Sequence, residues 1–120
     1  MTEGVIHRDI KPANVLRAGN KWKISDFGFA VKSRFAFKDR VNVGTPLYMA
    51  PESLKKNCYS LKSDIYAIGI VLYEMLVGRT PHEVHTEKEL VDRMGAEIVL
   101  PKTVKSIKAV EFVSRACQMS

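Results

Sequence analysis

His7-Arg8-Asp9-Ile10-Lys11-Pro12-Ala13-Asn14 opens the informative part of the chain, and Asp26-Phe27-Gly28 comes twelve residues after Asn14. Between them Val15-Leu16-Arg17, Ala18-Gly19-Asn20 and Lys21-Trp22-Lys23-Ile24 have the pattern of a small hairpin around a Gly-Asn turn. A hairpin returns both its ends to one edge, so Asp9, Asn14 and Asp26 are expected to flank the same place. Asn14 and Asp26 offer hard oxygen ligands of the kind that suit Mg²⁺. Asp9 can orient a hydroxyl or accept its proton. Lys11 is a point charge able to neutralise a transferring phosphoryl group. Carboxylate, amide, lysine and magnesium together are what phosphoryl transfer requires, because the protein's part there is positioning and charge stabilisation.

These residues resemble the signature of eukaryotic protein kinases. The stretch 7–14 is similar to the catalytic loop, Asp26-Phe27-Gly28 to the magnesium motif, and Gly44-Thr45-Pro46-Leu47-Tyr48-Met49-Ala50-Pro51-Glu52 to the end of the activation segment. The three triplets with Lys11 and Asn14 make eleven positions that agree in order and spacing. At roughly one in twenty for each position, coincidence is negligible.

The resemblance implies a protein kinase-like fold, α+β in the family and mainly α here. The chain would be the large (C-terminal) lobe alone, incomplete at both ends, with 1–120 as a partial kinase domain and 26–52 as its activation segment. The activity implied is ATP-dependent transfer of a phosphoryl group to Ser or Thr of a protein substrate, with ATP and Mg²⁺ as cofactors. Asp9, Lys11, Asn14 and Thr45 would be catalytic, with Thr45 bridging Asp9 and Lys11. Asn14 and Asp26 would hold the metal, and Lys11, Asn14, Leu16 and Asp26 would face the nucleotide. Leu16, Val71 and Met75 match positions that stack beneath adenine. His7 and Phe27 match a hydrophobic stack between the lobes, and Asp64 a group that holds the catalytic-loop backbone. Gly28 completes the magnesium motif. Lys11 and Gly44-Thr45-Pro46-x-Tyr48 are similar to Ser/Thr kinases rather than tyrosine kinases. Phe27-Gly28-Phe29-Ala30 is similar to autophagy-initiating kinases.

Beyond the hairpin, residues 25–47 have no sustained periodicity, and a long ordered loop is expected there. Ala50 to Lys56 should be helical, with Pro51 in the first turn. Ser63 is the expected N-cap of a helix over 63–77, whose apolar residues cover nearly every face and predict burial on all sides. Thr86-x-x-Glu89 is a capping box for a helix over about 86–95. Apolar residues at three- and four-residue spacing predict a last helix over 103–118.

Composition agrees with one globular domain: of 120 residues, 46% are apolar and 27% charged. The apolar run at 65–77 is 13 residues long and contains Glu74. That is short of the ~20 that a membrane span needs. Met1-Thr2-Glu3-Gly4 lacks the pattern of a signal peptide, so a cytoplasmic location is expected. Cys58 and Cys117 cannot build a disulfide framework. Lys and Arg number 19 against 13 Asp and Glu, a charge of +6. Lys32, Arg34, Lys38 and Arg40 concentrate part of it around Asp39. Such a balance suits phosphates, acidic protein surfaces or nucleic acid, or is simply a solvated face.

The pattern also departs from the family. No Gly-x-Gly-x-x-Gly precedes His7, nor do a strand lysine and its partner glutamate. The arginine that pairs with the residue matching Glu52 is not found after it. The reading that follows is a piece of a complete kinase that acts with a small N-terminal lobe. The alternative is a kinase-derived docking module without catalysis, and a nucleic-acid binder rests on charge alone. The hydroxyls between Asp26 and Glu52 are Ser33, Thr45 and Tyr48. The usual phosphosite position is Val41. Arg8 resembles an arginine that pairs with a loop phosphate; Ser33 is the hydroxyl left to carry one, and Asp39 is the candidate fixed charge in its place.

Overall fold

In a computed structural model the described residues are 4–33, 35–40, 42–82, 86–93 and 98–117. The chain's first three residues, Arg34, Val41, the expected helix end at Met94 and Gly95, and position 118 lie outside them.

Local chemistry sets each element. Strand β1 (Val5–Ile6) leads into the 7–14 stretch, which closes in a 3₁₀ turn at Pro12–Asn14. Strands β2 (Val15–Ala18) and β3 (Lys21–Ile24) form the expected hairpin, with Val15 opposite Ile24 and Ala18 opposite Lys21. Gly19 takes φ +63° in the turn between them, a conformation that lacks a steric penalty only for glycine.

The expected long loop contains two more strands. Strand β4 (Val31–Lys32) pairs antiparallel with β1, and β5 (Phe37–Lys38) pairs with β6 (Cys58–Tyr59). Each ladder is two residues long, too short to leave an alternation in the sequence. A second 3₁₀ turn at Pro46–Tyr48 leads to helix α1 (Pro51–Lys56), which Asn57 ends in the left-handed conformation.

Helix α2 (Leu61–Val77) begins two residues before the expected start. Ser60 is the N-cap, with extended backbone, and its N–H donates to Ser63 Oγ at 3.0 Å. Ser63 is therefore the third helical residue rather than the cap, one half of a reciprocal cap. Nor is α2 buried on all sides. Ile70 and Tyr73 are buried, but Ile65 and Leu76 are exposed, and Met75 is 67% exposed. No element among the described residues covers that face.

Helix α3 (Glu87–Arg93) follows the Thr86 cap, whose Oγ1 accepts from Glu89 N at 3.2 Å. Helix α4 (Ile107–Ala116) starts four residues later than expected. Residues 101–104 form a turn closed by Val104 N to Pro101 O at 3.0 Å, and Ser106 caps the helix by accepting from Ala109 N. α4 crosses α2 closely at Gly69, where a Cβ would lie 2.7 Å from Cys117 Sγ and 2.9 Å from Ala116 Cβ.

One core cluster gathers Ala50, Tyr66, Ile70, Tyr73, Leu100, Val113 and Cys117 around α2 and α4. A second joins Ile6, Met49, Leu54, Tyr59 and Leu90. Ile10 packs on Ala67 and Val71, which seats the 7–14 stretch on α2. No helix among the described residues is long and apolar enough to cross a membrane.

Candidate active site

Four anchors fix the backbone around Asp9. Asp64, in the first turn of α2, accepts from His7 N at 2.7 Å and Arg8 N at 3.0 Å. Burial pushes its carboxyl above the usual carboxylate value, while those two N–H donors and the charge of Arg8 oppose the shift. His7 Nδ1 accepts from Asp9 N at 3.1 Å, so the ring proton sits on Nε2, which reaches Ser25 O at 2.9 Å. His7 also meets Phe27 edge-on, with ring centroids 4.8 Å apart. The stretch is thereby tied both to α2 and to the far end of the hairpin. Arg8 accepts a positive φ of 74°, an arrangement that costs roughly 1–3 kcal/mol and persists only where the surroundings hold it.

The side chains then converge. Asp9 is 8% exposed. Its Oδ1 accepts from Thr45 Oγ1 at 2.9 Å. Thr45 Oγ1 in turn accepts from Lys11 Nζ at 3.0 Å, and Lys11 Nζ lies 3.7 Å from Asp9 Oδ2. A hydroxyl has one proton, so Thr45 gives it to Asp9 and takes one from the ammonium. Asn14 Nδ2 donates to Asp9 O at 2.8 Å and approaches Oδ2 at 3.4 Å. That leaves Asn14 Oδ1 with no protein donor among the described residues and its lone pairs free for a cation.

The hairpin brings Asp26 to the same end. Beyond the Val15–Ile24 pair, Ser25 N donates to Asn14 O at 2.8 Å, so Asn14 faces Ser25 at the end of the ladder and Asp26 follows directly. Asp26 is exposed and left-handed at φ 58°, and its Oδ1 accepts from Gly28 N at 3.2 Å. Among the described residues no group of three His, Cys, Asp or Glu side chains is arranged to hold a metal ion. One carboxylate and one amide oxygen suit Mg²⁺, which keeps several waters and shares substrate phosphates.

Thr45 reaches Asp9 because Gly44 permits a close approach. A Cβ on Gly44 would lie 2.7 Å from Arg8 O, and its φ is 118°. On the other side Tyr48 Oη donates to Glu74 Oε1 at 2.5 Å, which ties the 45–48 segment to α2. Burial, then that carboxylate, push the Tyr48 hydroxyl far above its ordinary value.

The remaining expected residues are less gathered. Val71 and Met75 line an open apolar groove of about 360 Å³ with Ile10, Val15, Ile68 and Phe112. Leu16 is exposed and alternates to the face of β2 opposite Val15, outside that groove. Glu52 sits half-buried in the first turn of α1, with no ion pair among the described residues. Three residues escaped the sequence reading of the site: Glu74, Ser25 and the close approach at Gly44. Glu74 left one signal, an acid inside an otherwise apolar helix.

A kinase-type constellation on a mostly helical α/β scaffold defines the class of protein. The protein kinase domain family matches residues 2–119, and the chain belongs to it. It is 39% identical over 108 residues to the serine/threonine-protein kinase atg1 of Dictyostelium discoideum, covering 85% of this chain and 16% of that protein. It is 38% identical over 121 residues to an Aurora kinase of Encephalitozoon cuniculi, covering 97% of this chain and 43% of that protein. A dual specificity protein kinase, shkD of Dictyostelium discoideum, is 40% identical over 88 residues, 72% of this chain and 12% of that protein. The chain thus spans less than half the length of these relatives.

Proposed function

We propose that the natural protein transfers the γ-phosphoryl group of ATP to Ser or Thr hydroxyls of protein substrates, with these residues as part of the large lobe of its kinase domain. The observation that carries this reading is the Lys11–Thr45–Asp9 relay, with bonds of 3.0 and 2.9 Å across 34 and 36 residues of chain. Asp9 orients the acceptor hydroxyl and takes its proton, in a carboxylate held by Thr45 and Asn14 so that it cannot turn away. Lys11 stands beside it as the positive charge for the moving phosphoryl group. Asn14 and Asp26 would hold Mg²⁺, which supplies charge neutralisation at the phosphates when bound. The exposed face of Leu16 would lie against adenine, with Val71 and Met75 in the layer below.

The short reach of this chain along its relatives supports a site completed by a small lobe. A cytoplasmic place of action fits the need for ATP. The intact relay favours catalysis over a docking module. The test uses the natural protein with MgATP and a mixed peptide library, with products read by mass spectrometry. Phosphoserine and phosphothreonine are expected. Phosphotyrosine alone would overturn the Ser/Thr assignment, and no transfer would favour the docking module.

A further inference from the structure

We propose that Asp39 is a built-in positioning residue for the active site, a fixed negative charge that orders the 26–52 segment without phosphorylation; the proposal rests on the kinase reading above. Arg8 directly precedes Asp9, and its side chain is only 7% exposed. Its Nη1 donates to Asp39 Oδ2 at 2.6 Å, and its Nε donates to Phe29 O at 2.8 Å. The guanidinium also lies 4.9 Å from the Tyr59 ring centroid and 5.5 Å from that of Phe37. A guanidinium taken this far from water needs a counter-charge, and Asp39 is its ion-pair partner among the described residues.

Asp39 is itself held. Its N–H donates to Asn57 O at 2.9 Å, just beyond the β5–β6 ladder, and its Oδ1 accepts from Arg40 N at 2.6 Å. The ion pair therefore ties three segments together: the residue before Asp9, the stretch just after Asp26-Phe27-Gly28, and the strand pair that leads into α2. A loop phosphate facing an arginine would do the same work. Here the hydroxyls of the segment are engaged elsewhere. Thr45 serves Asp9 and Lys11, and Tyr48 serves Glu74. Ser33 Oγ turns onto its own loop, donating to Phe35 O and accepting from Phe35 N. The charge opposite Arg8 is thus encoded in the sequence rather than added.

The test compares wild type, Asp39→Asn, Asp39→Glu and Ser33→Ala of the natural protein in steady-state phosphoryl transfer, with and without prior phosphatase treatment. Asp39→Asn should lower kcat about tenfold and leave the KM for ATP within about twofold. Asp39→Glu should recover most of the loss. Ser33→Ala and phosphatase-treated wild type should keep the wild-type rate. An unchanged kcat in Asp39→Asn, or loss of wild-type activity on phosphatase treatment, would overturn the proposal alone. Absence of transfer by untreated wild type would overturn the kinase reading with it. If Asp39→Asn does not fold, the phosphatase arm still decides.

Discussion

Gly44 shows how little room a single position leaves. Its φ of 118° and the 2.7 Å that would separate a Cβ from Arg8 O leave space for hydrogen alone. Gly44→Ala should destabilise the fold by about 2 kcal/mol and detach Thr45 from Asp9. Chemical denaturation with the phosphotransfer rate measured in parallel checks both effects. The two thiols make a second case. Burial pushes the Cys117 thiol up to about 12, so at pH 8 only roughly one part in ten thousand is thiolate. Cys58 is half-buried at the start of β6. Brief iodoacetamide treatment of the native protein should label Cys58 and spare Cys117, as peptide mapping would report. At this scale much was legible. Asp9, Lys11, Asn14 and Thr45 were expected at one site, and the structure brings them together, because each carries a chemistry few other residues supply. Glu74, Ser25 and the Gly44 contact were missed because their partners lie 18 to 36 residues away, and spacing alone does not reveal such pairs.

Helices were more legible than strands for a physical reason. A helix makes its bonds within four residues and leaves a period in the sequence, as in α4. Strands β4, β5 and β6 are two residues each and exist only through distant partners. Ile6 of β1 and Tyr59 of β6 are buried in one core cluster, and β4 and β5 pair onto those two strands. The α2 start shifted because Ser60 and Ser63 are both good capping residues, and the reciprocal bond chose between them. The all-apolar surface of α2 misled in another way: it signals faces that need cover, not faces that have it among the described residues. One face has cover at the Gly69 crossing. Gly69→Ala should force α4 away and cost about 1–3 kcal/mol, read as a lowered thermal midpoint with helix content retained.

For the whole molecule, the exposed aromatic and aliphatic side chains matter most. Trp22, Phe27, Phe29, Phe35 and Met75 are all exposed, and the groove beside Met75 is apolar. The chain spans 43% or less of the length of three kinase relatives. Stability should also depend on pH through His82, which is 6% exposed. Burial, then the charge of Arg93, lowers its pKa in the folded state. The unfolded chain therefore binds the proton first. The contribution of neutral His82 is complete above the unfolded value of about 6.5 and is lost as pH falls through the folded one. The urea midpoint should drop between pH 7 and pH 5, and His82→Gln should flatten the drop.

Asp9, held by Thr45, Lys11 and Asn14, is the group we propose to act on the accepting hydroxyl. The direct measurement is γ-phosphoryl transfer from MgATP to a Ser/Thr peptide by the natural protein, wild type against Asp9→Asn, with both shown folded by circular dichroism. A loss of about 10²–10⁴ in kcat with nucleotide binding retained is expected. Equal rates for the two proteins would contradict it.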